Sequence, residues 1–339
     1  MKAVTIEHHG DRGTLRDVDV PAAGPHDVLV RVTAVGVNPI DWRRRDRPDT
    51  RLLHVLGQDF AGFVSDIGDR VTKYHKGERV FGIAPQHGSY AEYTLVPQGD
   101  RAQPLAKIPD DVGDADAAAL PTAGITALAA IQALNVTKAT SLLVLGATGG
   151  VGGTPFRSRT IAAPGSSAPH VRRTRDSRVR SAWTSSYPTI KEDAARRLRG
   201  RGMEAALDLV DDKAGMKRIA GAMREGGRIV STIGAADTDW FAARKIAATN
   251  LYAADTAQWS HAGLRALLEM LQQGGIKVMI AGERPLSEAA QALKKVRAAP
   301  STEARNYVRL VTASFNGPRC SARGKGTASM RCLLLSTCS

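Results

Sequence analysis

A short apolar run, Leu142 to Leu145, breaks directly into Gly146, Gly149, Gly150 and Gly152 within "SLLVLGATGGVGG". An apolar run stopped by glycines reads as a buried strand feeding a tight turn. Glycine lets the backbone turn sharply and approach a pyrophosphate with no Cβ in the way. A helix that follows would aim its free N–H groups and positive end at the phosphates. Gly146, Ala147, Thr148, Gly149, Gly150, Val151 and Gly152 are therefore candidate cofactor-binding residues. A glycine-rich turn by itself fits a plain structural turn equally well; the surrounding pattern favours the dinucleotide reading.

That pattern is an alternation of strands and helices. "DVGDADAAALPTAGITALAAIQAL" reads as helices interrupted at Pro121, ahead of the strand "SLLVLG". Further on, "EDAARRLRG" reads as a helix and "MEAALDLV" ends in a strand. "MKRIAGAMREGG" reads as a helix closed by glycine, and "RIVSTIG" as a strand with a glycine turn. "HAGLRALLEMLQQGG" is a helix, "IKVMIA" a strand, "SEAAQALKKVRAA" a helix capped at Ser287, and "NYVRLV" a last strand. Alternating units of this kind predict a parallel sheet with helices on both faces. Residues before about 100 differ. "DVLVRVTAVGV", "FAGFVSDIG", "ERVFGIAP" and "GSYAEYTLVP" are short β-rich runs between turn residues, which suggests a compact barrel-like unit.

The alternation fails after the glycine turn. Residues 154 to 190 carry Pro155, Pro164, Pro169 and Pro188, and no apolar stripe at helical spacing. A proline inside a helix costs about 3 kcal/mol, and a helix without an apolar face cannot pack on a sheet. With GC-rich codon habits assumed, a shifted frame turns Gly165 to Val171 into residue classes that fit a strand ending in a basic residue. Two compensating changes of reading frame around this segment are one explanation, which the coding DNA tests. The other is a divergent insertion, in which Arg172, Arg173 and Arg175 would be available to a 2′-phosphate. Either way, this chain is expected to bind a dinucleotide weakly, and replacing the segment is expected to restore binding.

Net charge is +14, which raises the question of a nucleic-acid partner. Residues 154 to 190 and 312 to 339 together supply +10 of it, so the basicity belongs to two irregular segments and not to a folded face. No nucleic-acid partner is expected. Residues 312 to 339 show no period and read as a disordered tail. Cys320, Cys332 and Cys338 all lie there, so no cysteine-rich metal site or disulfide framework is available to the rest of the chain. No run of about 18 apolar residues exists, and "MKAVTIEHHG" lacks the apolar stretch of a signal peptide. A cytoplasmic protein without a membrane partner is the expectation.

"GATGGVGG" resembles the cofactor loop of the medium-chain dehydrogenase/reductase superfamily, in its zinc-independent quinone oxidoreductase-like branch. "AVGVNPIDWRRR", "LGQDFAGFV", "VTKYHKGERVFG", "GSYAEYTLVP", "LPTAGITALAAIQAL", "EGGRIVSTIG" and "GGIKVMIAGERPLSEAAQAL" fall in that family's order. The resemblance covers roughly residues 1 to 153 and 191 to 311. It implies an α/β protein with a GroES-like β-rich catalytic domain at 1–115, completed by about 281–311, and a Rossmann doubly wound parallel-sheet domain at 116–280. It implies NADP (NADPH) as cofactor and hydride transfer to a quinone, enone or related carbonyl-conjugated acceptor. A catalytically impaired, non-catalytic dinucleotide-binding relative is the alternative. A small-molecule substrate and a homodimer are the expected partners.

Within the resemblance, Asn38 of "GVNPID" would lie beside the nicotinamide and the substrate, with Asp41 as a second catalytic candidate. Asn-Pro and Asp also favour a turn and a helix cap by themselves. Thr126 matches a cofactor-contacting threonine, although a helical threonine also bonds its own backbone. Ser231 and Gly234 end a predicted strand, where doubly wound sheets bind ligands. Asn38 and Gln58 stand where zinc-dependent relatives place Cys and His, and neutral amides are poor zinc ligands, so no zinc is expected. Tyr90 and Tyr93 read as packing residues of one strand. Trp42 and Trp240 fit an acceptor pocket or ordinary aromatic packing equally well.

Overall fold

The computed structural model describes residues 1–46, 55–84, 88–98, 103–137, 140–146, 149–152, 198–278, 280–298 and 307–311. Ala147, Thr148, the irregular segment 154–190, most of the helix expected at "EDAARRLRG" and the tail 312–339 lie outside them.

The N-terminal half is antiparallel. β1 (Lys2–Thr5) and β2 (Thr14–Asp17) form a hairpin. β3 (Asp27–Gly36) is the hub of a larger sheet and pairs with β4 (Asp59–Ile67) and β6 (Tyr93–Pro97). β5 (Arg79–Ile83) joins β4 to β7 (Leu105–Lys107). β-Branched residues on a half-buried pleat explain β3: Val28, Val30, Val32 and Val35 are all buried. The strand expected from Gly88 shortens to Tyr93. Gly88 takes φ +70, and Ser89 and Tyr90 both donate backbone N–H groups to the Leu56 carbonyl, which spends them outside the ladder. Two chain-terminal strands complete this sheet. β12 (Ile280–Pro285) pairs in parallel with β13 (Tyr307–Val311), and β13 pairs antiparallel with β3.

The second sheet is parallel, in the order β11-β10-β9-β8. Its strands are β8 (Leu142–Leu145), β9 (Met203–Asp208), β10 (Met223–Ser231) and β11 (Ala247–Asn250). The architecture is thus α/β, with a β-rich unit and a parallel Rossmann-like sheet. Among the described residues, no helix is long and apolar enough to cross a membrane.

Helix α1 (Pro39–Asp46) follows β3, and α2 (Asp114–Ala119) precedes α3 (Pro121–Ala133). Pro121 separates α2 from α3 by starting the latter, where a missing N–H costs nothing. The apolar face of α3 reaches both sheets. Ala123 and Ile125 pack with Ala61, Phe81 and Ile83. One to two turns later, Ala130, Ile131 and Leu134 pack with Ala205, Leu207 and Val230.

Helices α4 (Lys213–Ile219), α5 (Thr238–Ala242), α6 (His261–Gln272) and α7 (Ala289–Ala298) follow. Three boundaries differ from the sequence reading. The helix expected to run to Gly227 ends at Ile219, because Met223 already pairs with Met203 and Gly226–Gly227 form an irregularity inside β10. The strand expected at Ile276 starts at Ile280, where pairing with Tyr307 begins. Ser287 does not cap a helix; it sits inside a 3₁₀ turn, Leu286–Glu288, that leads into α7.

Caps that do form use aspartate and serine. Asp212, Asp237 and Ser260 each accept the N–H three residues on. Asp237→Ala is expected to lower stability by about 1 kcal/mol, read as a shifted urea midpoint. It removes the acceptor for Trp240 N–H and the partly exposed contact to Lys217.

Candidate active site

The site begins with strand register. Pairing of β3 with β4 sets Gly36 opposite Asp59, so Asn38, two residues on, arrives beside Asp59. Gly36 must stay small there, because a Cβ would sit 2.6 Å from the Ala118 carbonyl of α2 and 3.1 Å from Asp59 Cβ.

Asn38 and Asp41 open α1 reciprocally. Asp41 Oδ2 accepts the Asn38 backbone N–H at 2.8 Å, and Asp41 N–H donates to the Asn38 carbonyl at 3.1 Å. This is the carboxylate half of a capping box. The Asn38 side chain does not cap; its Nδ2 donates to Asp59 Oδ2 at 2.9 Å. Asp59 also accepts Thr122 N–H (3.0 Å) and the Thr122 hydroxyl (2.6 Å), which ties β4 to the first turn of α3. Gln58 Nε2 donates to the same hydroxyl oxygen at 2.5 Å. Tyr90 donates its hydroxyl to Asp41 Oδ2 at 2.8 Å.

Asn38, Asp41, Gln58, Asp59 and Tyr90 are all buried. Burial pushes the Asp59 carboxyl up to about 7 against the bonds from Thr122, and the neighbouring Asp41 charge adds to the rise. Burial likewise pushes Asp41 up to about 6, opposed by the bonds from Asn38 and Tyr90. Tyr90 is driven further up by burial and by Asp41. These are the conditions under which a carboxyl group exchanges a proton near neutrality.

Sequence reasoning passed over Asp59, Thr122 and the polar role of Tyr90. One signal was available: an aspartate abutting the apolar run "FAGFV" is costly unless something pairs with it. Tyr90 does pack in the core, but its hydroxyl belongs to this network.

The cofactor candidates lie at the C-terminal ends of β8 and β10. Gly146 has φ +86, and a Cβ there would meet Val210 Cγ1 at 2.7 Å, so glycine is required where the strand turns. Among the described residues, a Cβ on Gly149 would meet nothing nearer than the Gly146 carbonyl at 3.4 Å. Helical backbone starts at Gly150 and includes Val151 and Gly152, with Val151 packed on the cluster that contains Ala123 and Ile125. Ser231 is fully buried. It donates to Asp208 Oδ2 at 2.7 Å and accepts from Ala235 N–H at 3.1 Å, so its hydroxyl shapes the turn. Gly234, at φ +76, has open space where a side chain would be. Thr126 gives its hydroxyl to the Thr122 carbonyl one turn back, at 2.6 Å. The glycines of the turn after β8 suit the close approach of a pyrophosphate. The donor set at Asn38 and Gln58 does not fit zinc, since both amides direct N–H groups into the protein's own oxygen atoms.

The two tryptophans are in different places. Trp42 packs beside the β-sheet cluster with the Arg43 and Arg297 guanidinium groups near its ring. Trp240 lies against the parallel-sheet cluster, edge-on to Phe241 and 3.5 Å below the Arg244 guanidinium.

Residues 24–110 match the family described as the alcohol dehydrogenase GroES-like domain, and residues 184–302 match that described as zinc-binding dehydrogenase. A quinone oxidoreductase of Lama guanicoe is 36% identical over 159 residues, 45% of this chain and 47% of that protein. The chain is similar to quinone oxidoreductases over that share of its length. A 2-methylene-furan-3-one reductase of Solanum lycopersicum is 34% identical over 167 residues, 45% of this chain and 42% of that protein. The matched part therefore spans less than half the length of these curated relatives. A mycobacterial structure complexed with NADPH superposes with TM-score 0.71 at 22% identity, covering 92% of this chain and 100% of the other. The zinc-binding dehydrogenase match starts at residue 184, within the irregular segment.

Proposed function

We propose that this chain is an NADPH-dependent, zinc-free oxidoreductase that passes hydride to a quinone, an enone or a related carbonyl-conjugated acceptor. The observation that carries the proposal is the buried Asn38–Asp41–Asp59–Thr122 network. Asn38 and Gln58 stand where the resemblance puts the zinc ligands of zinc-dependent relatives, and the network offers amide and carboxyl hydrogen bonding around them. The quinone and enone reductase names of the relatives support the acceptor class. The NADPH complex of a structural neighbour supports the cofactor.

A reduced nicotinamide would supply the hydride. Gly146, Gly149, Gly150 and Gly152 would face the pyrophosphate, and Gly234 would leave room for the nicotinamide. Asn38 and Thr126 would border it from the catalytic side. The protein's own part is orientation and polarisation. Asp59 and Asp41 fix the Asn38 side chain and backbone, so its dipole is set before substrate arrives, which is how preorganised hydrogen bonding lowers a barrier.

Steady-state oxidation of NADPH with a model quinone and a model enone tests the proposal. Asn38→Ala is expected to lower kcat/KM on the order of 100-fold with NADPH affinity little changed, measured by cofactor fluorescence. NADPH binding without oxidation of either acceptor would favour the non-catalytic alternative.

A further inference from the structure

Two carboxyl groups share one buried network, and among the described residues no cation is bonded to either. Asp59 is 0% exposed and Asp41 5%. Asn38 touches both, through its backbone N–H to Asp41 and its Nδ2 to Asp59. The other donors are neutral: the Thr122 N–H and hydroxyl on Asp59, and the Tyr90 hydroxyl on Asp41. Of the nearby cations, Arg44 of α1 acts on Asp41 by its field alone, and Arg45 is bonded to Asp46. Two negative charges so placed repel through a low-dielectric interior, and a single shared proton removes the repulsion.

The geometry also places a water-sized space beside Asp41. The bonds that Asp41 accepts from Asn38 and Tyr90 both use Oδ2. Asp41 lines a small cavity with Gln58, Gly57, Arg44 and Arg45, of about 10 Å³, enough for about one water. Asp59 does not line that cavity.

We infer that Asp41 and Asp59 hold one proton between them, and that Asp41 releases it through water in this cavity to the acceptor that hydride has reduced. This rests on the reading of the site as an oxidoreductase. The balance is complete. Hydride and its electron pair leave the reduced nicotinamide for the acceptor, which then carries a negative charge. The O–H bond of the carboxyl breaks, and the proton adds to the acceptor's oxygen or α-carbon. The pair is left doubly negative, to be reprotonated from solvent through the same cavity. The groups facing the pair are Arg44 and Arg45 from α1, Tyr90 ahead of β6, Gln58 at the start of β4 and Thr122 from α3; of these, the two arginines carry charge. Burial raises both carboxyl groups toward neutrality, which suits the exchange.

Infrared titration of the cofactor-free protein in H₂O and D₂O tests the sharing without turnover. A protonated-carboxyl C=O band is expected below about pH 7, shifting in D₂O. Asp208 is a second buried acid with a raised pKa, so Asp208→Asn identifies its own contribution. Asp41→Asn keeps an oxygen for Asn38 and Tyr90 and is the variant expected to fold. Because the Asp41 charge helps raise Asp59, the midpoint of the remaining band should move to lower pH in Asp41→Asn. A band unmoved by Asp41→Asn, or one lost wholly in Asp208→Asn, overturns the shared proton. For delivery, Asp41→Asn should lower kcat on the order of 100-fold, leave KM within about twofold, and abolish the fall in rate above neutral pH. Wild-type kinetics in Asp41→Asn overturn delivery. A shared-proton band in a chain that oxidises no NADPH overturns delivery together with the functional reading, and leaves the sharing intact.

Discussion

Gly57→Ala is expected to lower folding stability by about 2–4 kcal/mol and to separate Tyr90 from Asp41. Gly57 has φ +82, in the left-handed region, where an alanine costs about 1 kcal/mol. Space is the larger problem. A Cβ would lie 2.1 Å from Tyr90 Cδ1 and 2.7 Å from Ser89 Oγ. Tyr90 is fully buried among the β-sheet cluster, so its ring has nowhere to retreat without moving its hydroxyl off Asp41. The backbone on either side, from Leu56 to Asp59, carries the site. Urea unfolding should show a lower midpoint with an unchanged slope. Gly77→Ala is the control. Its φ is +86, but nothing lies within 4 Å of the added carbon, so only the conformational cost of about 1 kcal/mol remains. Equal losses in the two variants would refute the steric argument.

Stability should fall by roughly 2–4 kcal/mol as pH rises from about 5 to about 7.5. Asp41 and Asp59 have folded-state values of about 6 and about 7, above the ordinary carboxylate value. The unfolded chain therefore releases these protons near pH 4, whereas the folded chain keeps them until near neutrality. Between those limits the folded state binds more protons, so raising pH favours unfolding. Asp208, raised by burial, acts in the same direction. Asp17, Asp66 and Asp237 act oppositely. Bonds from Lys2, Lys76 and Lys217 hold their carboxyl groups low, and their stabilisation is lost only as pH falls toward their folded values, below this window. Denaturant midpoints at a series of pH values measure the slope, and Asp41→Asn should flatten it. A midpoint that rises steadily from pH 5 to 7.5 would show that the pair stays charged in the folded protein.

Much of the fold was legible because it depends on local spacing. Alternating valines gave β3, and Pro121 gave the break between α2 and α3. The apolar run before Gly146 gave β8 and its turn. Where local preference was ambiguous, pairing decided. "AMREGG" reads as a helix end by propensity, but Met223 has a strand partner in Met203 and the chain leaves the helix early. Ser287 has a capping residue's chemistry, yet the turn from β12 carries it past the position where a cap would act.

The site divides in the same way. Asn38 and Asp41 lie in one short motif, "GVNPID", so the resemblance marked them both. Asp59 and Thr122 are 21 and 84 residues from Asn38, and Tyr90 is 49 from Asp41. Only the β3–β4 register and the docking of α3 bring these groups within hydrogen-bonding distance. The sequence by itself determined the chain's class, the glycine turn and the absence of thiolate or imidazole at the metal positions, since each follows from residue type and near spacing. The tertiary structure decided that Asn38, at one of those positions, joins two buried carboxyl groups, Asp41 and Asp59. Burial and charge repulsion arise only when distant segments are packed together.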